Sequence, residues 1–342
     1  MRLSLLVLTY RRVPELLALL DSLARDGAPA SCETVVGLND EPAANAALAR
    51  LLAERHPWVR TLPLRRCGRG EARNRLAAAA AGELLYFLDD DTLAPPGFIA
   101  RVRASFLRFP DAAAIGGPNV GPPGARAFPR AADFLLRSPL GAGPMRVRHL
   151  RDGDARRAPG WWFTLSNLGV RRDAFRRGLR FPPRAASAEE TLFLHELERA
   201  GQHAVHDPAL FVFHRRRPGW VGFFRQVYSC GVGRAQITRA APSSLLPATL
   251  APVAALAAAT VLARAHPAAA LAGAGLYLAA GAFEAARMAW SERDPAALLL
   301  PALFPFAHAA YACGLAAGAF AVPASDAAIE PRLSWDARPA DG

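Results

Sequence analysis

The sequence predicts an α/β domain built on a mainly parallel sheet with flanking helices, followed by an all-α membrane segment. Two observations indicate this division. Over residues 1–117, short apolar runs alternate with stretches whose apolar residues recur at helical spacing, which is the pattern of βαβ units. After residue 244, three long stretches are almost free of charge, as helices that cross a membrane are.

Five strands are predicted in the first part of the chain, at residues 3–9, 33–38, 59–64, 83–88 and 113–117. Helices are predicted between them, one beginning at Pro14 and others at 42–55, 71–81 and 96–109. Right-handed crossovers bring the carboxyl ends of such strands to one edge of the sheet. We therefore expect Thr9, Asp40 and the acids that follow the fourth strand to lie along this edge, where open α/β sheets bind ligands.

The next region carries weaker signals. Residues 118–160 are rich in Pro, Gly and Arg and are predicted to be irregular. A helix is predicted at 188–200, with two acidic residues in its first turn. Short strands are predicted at 203–206 and 209–213.

The C-terminal part is predicted to hold three membrane spans, at about 245–263, 267–290 and 296–322. Alanine is only weakly hydrophobic, so two spans or buried soluble helices remain alternatives. Residues 219–240 mix aromatic and arginine side chains, which is typical of an interfacial amphipathic helix. The predicted organisation is an α/β domain at 1–218, this linker, membrane helices within 241–324 and a polar tail at 325–342.

The charge is distributed unevenly along the chain. All 41 basic residues are arginine, and the net charge is +12. Residues 1–240 hold 36 arginines and 22 acids, whereas the remainder holds 5 and 7. By the positive-inside rule, the α/β domain is predicted to face the cytoplasm in a multi-pass arrangement. We find no zinc finger or aromatic-and-basic RNA signature, so nucleic acid is not a predicted partner.

Three consecutive carboxylates, Asp89, Asp90 and Asp91, end the fourth predicted strand. Adjacent carboxylates repel one another unless a cation or hydrogen-bond donors compensate them. Oxygen clusters of this kind suit Mg²⁺ or Mn²⁺ bridging to a phosphate. A solvated acidic turn before Pro95-Pro96 is the alternative interpretation.

A set of short motifs, in this order and spacing, resembles a family 2 glycosyltransferase of the GT-A fold with C-terminal transmembrane helices. The resemblance covers about residues 1–240. The motifs are Leu8-Thr9-Tyr10-Arg11-Arg12, Asn39-Asp40, Gly70-Glu71-Ala72-Arg73-Asn74, Phe87-Leu88-Asp89-Asp90-Asp91, Gly116-Gly117-Pro118-Asn119, Asn167 with Arg171-Arg172, Glu189-Glu190 and His214.

The resemblance implies a nucleotide-diphosphate sugar donor, first among them a UDP-sugar, and Mg²⁺ or Mn²⁺ as the cofactor. It implies Asp91 and His214 as metal ligands. The nucleotide-sugar site that it implies comprises Thr9, Tyr10, Asp40, Arg73, Asp89 and Asp90.

These residues also have ordinary structural interpretations. Asp40 could cap the next helix, and Tyr10 could simply pack at a strand end. Arg73 could be a solvated helical residue. His214 could be an interfacial basic residue beside the arginines that follow it.

On the acceptor side, the resemblance implies Glu190 as the general base of an inverting transfer. Family members usually carry Glu-Asp here, and this chain has Glu189-Glu190, so the base is one methylene longer than usual. The alternative is a pair of acids stabilised by the helix dipole. Trp161, Trp162, Asn167 and Glu189 complete the acceptor side, although core packing also accounts for the tryptophans.

The function expected from the resemblance is transfer of a sugar to a lipid-linked or surface-glycan acceptor. The site would face the cytoplasm at the bacterial inner membrane. No Gln-x-x-Arg-Trp motif follows His214, which favours single-sugar transfer over processive synthesis. A sugar nucleotidyltransferase and a non-catalytic nucleotide-binding membrane scaffold are the alternatives.

Overall fold

The computed structural model describes residues 1–183, 189–244 and 246–320. The predicted tail, the predicted helix start at Ala188 and the outer ends of the first and third predicted spans lie outside these residues. The described chain forms two compact units: Met1–Val120 with Leu150–His214, and Gly121–His149 with the chain from Arg215 onward. The sequence-based boundary had placed 121–149 with the α/β domain.

The first unit is built on an eight-stranded sheet in the order β3-β2-β1-β4-β9-β6-β10-β8, with a three-stranded sheet in the order β5-β11-β7. The strands are β1 (Leu3–Thr9), β2 (Glu33–Leu38), β3 (Val59–Pro63), β4 (Leu84–Asp89), β5 (Thr92–Leu93), β6 (Ala114–Gly116), β7 (Asn119–Val120), β8 (Arg156–Arg157), β9 (Asn167–Arg171), β10 (Ala204–His206) and β11 (Val212–His214).

The described helices lie between these strands up to residue 214, and after it one helix follows another. They are α1 (Val13–Arg25), α2 (Ala28–Ser31), α3 (Pro42–Arg55), α4 (Arg69–Ala79), α5 (Phe98–Arg108), α6 (Ala127–Arg137), α7 (Pro139–Ala142), α8 (Arg172–Arg176), α9 (Glu189–Arg199), α10 (Trp220–Ala240), α11 (Ala251–Ala265), α12 (Pro267–Glu292) and α13 (Leu300–Phe320).

The large sheet is covered on both faces, as its apolar strands require. Successive residues of a strand point to opposite faces, so Tyr86 packs with α1 and α5 whereas its neighbour Phe87 packs with α4 and α9. Strands β1 to β4 are parallel to one another. The predicted mainly parallel α/β sheet is therefore confirmed, and the carboxyl ends of β1, β2 and β4 share one edge.

Two of the differences from the sequence prediction are strand β9 and helix α6. Strand β9 runs antiparallel between β4 and β6 and was not predicted. Residues 118–160 are not irregular throughout, because they contain helix α6, whose Ala131, Phe134 and Leu135 are buried. The abundant Pro and Gly obscured this helix, although its Pro129 lies in the first turn, where proline is tolerated.

The second unit contains three helices that are long and apolar enough to cross a membrane, at Pro247–Ala265, Pro267–Glu292 and Pro295–Phe320. Their positions match the predicted spans to within a few residues. The first is almost entirely exposed, whereas the third is 44% buried within the protein. Exposed apolar side chains such as Leu271, Leu276 and Phe283 give this unit a surface suited to lipid.

Helix α10 packs along α13 in parallel. Phe224 contacts Phe306 near the start of α10, with ring centroids 5.5 Å apart, and Arg239 Nη1 lies 3.4 Å from the Ala319 carbonyl oxygen near its end. Between these points the backbones are in close contact, because a Cβ on Gly231 would lie 2.3 Å from the Tyr311 carbonyl oxygen. Small residues at such crossings allow helices to approach closely.

Candidate active site

The site begins where β1 and β4 end side by side. The parallel register pairs Leu8 with Asp89, so Thr9 lies next to the acids that follow β4. Thr9 Oγ1 donates a hydrogen bond to Asp90 Oδ2 at 2.9 Å. After Asp89 the chain turns sharply, and the Thr92 hydroxyl donates to the Asp89 carbonyl oxygen at 2.8 Å. The turn directs three successive carboxylates to the same edge.

His214 joins these acids through the small sheet. Antiparallel pairing of β11 with β5 sets His214 opposite Thr92. As a result, His214 Nε2 lies 3.0 Å from Asp91 Oδ1. One ligand atom each from Asp89, Asp91 and His214 lie within 4.8 Å of one another. Two carboxylates and an imidazole fit Mn²⁺ or Mg²⁺ when phosphate oxygens supply further ligands.

The structure therefore brings together the two predicted metal ligands, Asp91 and His214, and adds Asp89 to them. Sequence reasoning had placed Asp89 beside the nucleoside only. Asp89 is the most exposed of the three acids, with 34% of its side chain accessible, whereas Asp91 is 9% accessible. The cluster is thus open on one side and packed on the other.

Arg73 lies below the acids on helix α4. It is 7% exposed, contacts Asp89 Oδ1 at 3.0 Å and makes a close ion pair with Glu189. Burial by itself lowers the pKa of Arg73, but the charges of Glu189, Asp89 and Glu190 outweigh it and raise the pKa. Arg73 is therefore not a solvated helical residue, and it links Asp89 to Glu189 in the first turn of α9.

The position of Arg73 depends on a close approach of α4 to the chain near Pro182. A Cβ on Gly70 would lie 2.0 Å from the Pro182 carbonyl oxygen, so only glycine fits there. Asn74 reinforces this contact by exchanging two hydrogen bonds with the Phe181 backbone. The motif around Arg73 therefore has a packing role as well as a charged residue.

Arg12 is a site residue that sequence reasoning did not assign. Its Nη1 lies 2.7 Å from Asp91 Oδ2 and 3.1 Å from Asp90 Oδ1. Burial raises the pKa of Asp90 to about 7; Arg12 and the Thr9 hydroxyl oppose this rise, while Asp91 and Asp89 add to it. The doubled arginine after Thr9-Tyr10 was the available signal, but only the fold reveals which acids it meets.

The second strand contributes a separate pair. Asp40 Oδ2 accepts from Arg11 Nε at 3.2 Å, and its Oδ1 accepts from the Glu41 backbone N–H at 2.9 Å. Glu41 is the N-cap residue of α3, which has no side-chain capping hydrogen bond, so Asp40 is a buried carboxylate at this edge that does not cap the helix. The Tyr10 ring is partly exposed, with the guanidinium groups of Arg11 and Arg66 5.0 and 5.2 Å from its centroid.

Glu189 and Glu190 begin helix α9, and both are buried, at 3% and 6% exposure. Glu189 forms an ion pair with Arg73, which also contacts Asp89, and its assignment to the acceptor side stays a prediction. Glu190 also acts electrostatically on Arg73, which places it at the same edge.

The predicted acceptor-side residues differ in burial, since Trp161 and Trp162 are only half-buried. Asn167 is fully buried, where it accepts from the Tyr86 hydroxyl at 2.6 Å and donates to the carbonyl oxygens of Pro118 and Leu210. Asn167 can therefore influence a ligand only through the backbone that it holds. Trp161 packs edge-on against Trp162.

Trp162 in turn packs edge-on against His206, a residue that the sequence did not point to. His206 is 2% exposed, and its Nε2 has no hydrogen-bond partner among the described residues. Burial lowers the pKa of His206 to about 4, an effect that Asp207 opposes and Arg156 reinforces. The imidazole is therefore neutral near pH 7.

This sheet order sets two acids and a histidine at the carboxyl edge, where open α/β folds bind ligands. The glycosyl transferase family 2 profile matches residues 4–179, just over half of the chain. The chain therefore belongs to glycosyl transferase family 2, and the resemblance given by its motifs is confirmed. No curated protein sequence matches the chain.

Among solved structures, the chain is similar to the mannosyltransferase PcManGT from Pyrobaculum calidifontis in complex with GDP-Man and Mn²⁺. The TM-score is 0.56 at 20% identity, over 93% of this chain and 87% of that one. A second match is S. aureus TarS 1-349 in complex with UDP, with a TM-score of 0.46 at 16% identity, over 68% of this chain and 65% of that one. The first of these similarities supports the GT-A fold.

Proposed function

We propose that this chain is a membrane-anchored, inverting glycosyltransferase that moves a sugar from a nucleotide-diphosphate sugar to a lipid-linked or surface-glycan acceptor. The observation that carries the proposal is the grouping of Asp89, Asp91 and His214 at the carboxyl edge of a family 2 sheet. Such an edge is where a diphosphate and its cation bind in this class of fold.

In the proposed site, Thr9, Tyr10 and Asp40 line the nucleoside pocket, and Arg73 supports the acids from below. Asp89, Asp91 and His214 would hold Mg²⁺ or Mn²⁺. When bound, a divalent cation there would neutralise charge on the diphosphate leaving group. PcManGT carries GDP-Man with Mn²⁺, which supports testing GDP-sugars alongside UDP-sugars.

Glu190 is the proposed general base. It would take the proton from the acceptor hydroxyl while the hydroxyl oxygen forms a bond to the anomeric carbon. On the opposite face, the bond from that carbon to the phosphate oxygen breaks, and the nucleoside diphosphate leaves with the electron pair. Glu189 forms an ion pair with Arg73, and Glu190 stands at the position that the family resemblance gives to the general base.

The membrane assignment rests on the three long apolar helices of the second unit and on the excess of arginine before residue 240. We propose a multi-pass protein of the bacterial inner membrane with its α/β domain in the cytoplasm. An acceptor bound to the membrane would then be presented on the same side as the soluble donor.

The test is transfer by the full-length chain in detergent from a panel of UDP-, GDP- and dTDP-sugars with Mn²⁺, together with the anomeric configuration of the product. We expect one donor class to be turned over with inversion. Asp91→Asn should lower turnover by about 10²-fold or more, because the leaving group loses its charge neutralisation. Activity of Asp91→Asn equal to that of the unaltered chain would overturn the metal assignment, and retention of configuration would overturn the Glu190 mechanism.

A further inference from the structure

Arg12 has no role in the proposed transfer, yet it makes two ion pairs with the acidic cluster. It occupies the N-cap position of α1, but its side chain makes no capping hydrogen bond. Instead, one nitrogen, Nη1, contacts both Asp91 Oδ2 at 2.7 Å and Asp90 Oδ1 at 3.1 Å. Its location is therefore explained by the acids and not by the helix.

The backbone conformation of Arg11 directs the Arg12 side chain towards Asp90 and Asp91. Arg11 has a φ of 55°, in the left-handed region that non-glycine residues seldom adopt. Such strain persists where surrounding contacts enforce it, and it concentrates at functional sites. Here it separates two adjacent arginines, sending Arg11 to Asp40 at 3.2 Å and Arg12 to the acids after β4.

Asp91 is shared between Arg12 and the candidate metal site. Its Oδ1 faces His214 Nε2 at 3.0 Å, while its Oδ2 faces Arg12. Only the Asp91 carboxylate would thus separate a divalent cation bound to it from the positive charge of Arg12. Since Asp90 and Asp91 are 5% and 7% exposed, solvent screens this repulsion poorly.

We propose that Arg12 is a tethered counter-ion that weakens cation binding in the absence of the donor and favours binding of the donor's diphosphate. It neutralises Asp90 and Asp91 when no cation is bound. A diphosphate adds negative charge that both the cation and Arg12 can share, which relieves their repulsion. This inference rests on the proposed function, because it takes a nucleoside diphosphate as the ligand.

The consequence is a coupling between cation and nucleotide. If Arg12 disfavours the cation alone and favours the nucleotide, each ligand strengthens the binding of the other by the same factor. A purely structural arginine would act differently, since its loss would disorder Asp91 and weaken both ligands. The two roles therefore predict opposite signs for cation affinity.

The experiment measures Mn²⁺ affinity of the full-length chain by electron paramagnetic resonance of free Mn²⁺, with and without UDP or GDP. We expect Arg12→Gln to bind Mn²⁺ about tenfold more tightly without nucleotide, and the enhancement by nucleotide to fall by a similar factor. Arg12→Lys should stay close to the unaltered chain, because a single nitrogen makes both ion pairs.

Arg60→Gln is the matched control. Arg60 pairs with Glu33 at 2.8 Å near the amino ends of β2 and β3, whereas the acidic cluster lies at the carboxyl ends of the strands. Arg60→Gln should leave Mn²⁺ affinity unchanged, and circular dichroism should confirm that each variant is folded. Weaker or unchanged Mn²⁺ binding by Arg12→Gln would overturn the proposal. Absence of Mn²⁺ binding by the unaltered chain even with UDP or GDP present would overturn it together with the metal site, whereas normal coupling without sugar transfer would overturn the proposed function alone.

Discussion

The two halves of the carboxyl edge satisfy their polar groups in different ways. On the half formed by β1, β2 and β4, carboxylates meet arginines, as Asp89 does with Arg73 and Asp91 with Arg12. On the half formed by β9, β6 and β10, aromatic rings enclose His206, whose Nε2 is left without a partner among the described residues. Ion pairs hold the polar side chains of the first half in place, whereas aromatic packing holds His206 in the second.

This difference suits the two proposed substrates. A diphosphate has a fixed geometry and a high charge, which a preorganised ionic network recognises well. An acceptor hydroxyl is neutral, so its recognition depends more on the shape of the site and on a single base. The comparison can be tested at four residues, from the largest expected effect to the smallest.

Glu190→Gln should have the largest effect, because it removes the proposed base at the boundary between the halves. Turnover is expected to fall by about 10²–10⁴-fold, while nucleotide affinity changes little. Single-turnover kinetics and nucleotide titration would measure the two quantities. A turnover within a few fold of the unaltered chain would assign the base elsewhere.

Arg73→Met should destabilise the charged half, since it leaves Glu189 and Asp89 without their buried partner. We expect a loss of about 3–5 kcal/mol in the free energy of unfolding. Urea denaturation of the full-length chain, followed by fluorescence, would measure it. The control is Arg75→Met on the same helix, where an exposed pair with Glu71 should contribute less than about 1 kcal/mol.

His206 should make the packed half sensitive to acid. Its folded-state pKa is about 4, below the ordinary value of 6.5, so the unfolded chain binds more protons between these values. Stability is then complete above pH 6.5 and falls as the pH drops towards 4, by about 3 kcal/mol.

Denaturation at a series of pH values would measure this slope, and His206→Phe should flatten it. Exposed His266 supplies the control, since His266→Gln should leave the slope unaltered. An equal slope in the His206→Phe variant would assign the acid sensitivity to other groups.

Trp162→Phe should have the smallest effect on stability. The Trp162 Nε1 is buried and has no hydrogen-bond partner within the described part of the chain, so phenylalanine removes an unsatisfied donor while keeping an aromatic ring. The free energy of unfolding is expected to change by less than about 1.5 kcal/mol. A rise in the acceptor KM with stability preserved would support the proposed acceptor role, whereas a large destabilisation would mean that the indole is required by the core.

The sequence predicted the donor half well because its information is local. Each of β1 to β4 is a short apolar run followed by a helix at regular spacing, so the residues at the carboxyl edge follow from the crossover rule. Thr9, Asp40 and the triple acid were identified in this way, whereas Arg73 was assigned through the family resemblance. The acceptor half depends on β9, a five-residue antiparallel strand whose partners are distant in the chain.

The same reason explains the contacts that were not predicted. Arg12 and Asp90 are 78 positions apart, and Arg73 and Glu189 are 116 apart. No periodicity links residues over such separations, so only the tertiary register reveals their contacts. The burial of His206 was not predicted either, since the sequence of a short apolar run does not show whether its histidine is buried.

The parallel packing of α10 on α13 has a consequence for how the chain is made. Contacts from Phe224 to Arg239 hold α10 along its partner over most of its length. Yet α10 carries Arg225, Arg234 and Arg239, too many charges for it to enter lipid alone. Because Arg239 and Ala319 are 80 positions apart, α10 acquires this partner only after a long further stretch of chain has been synthesised.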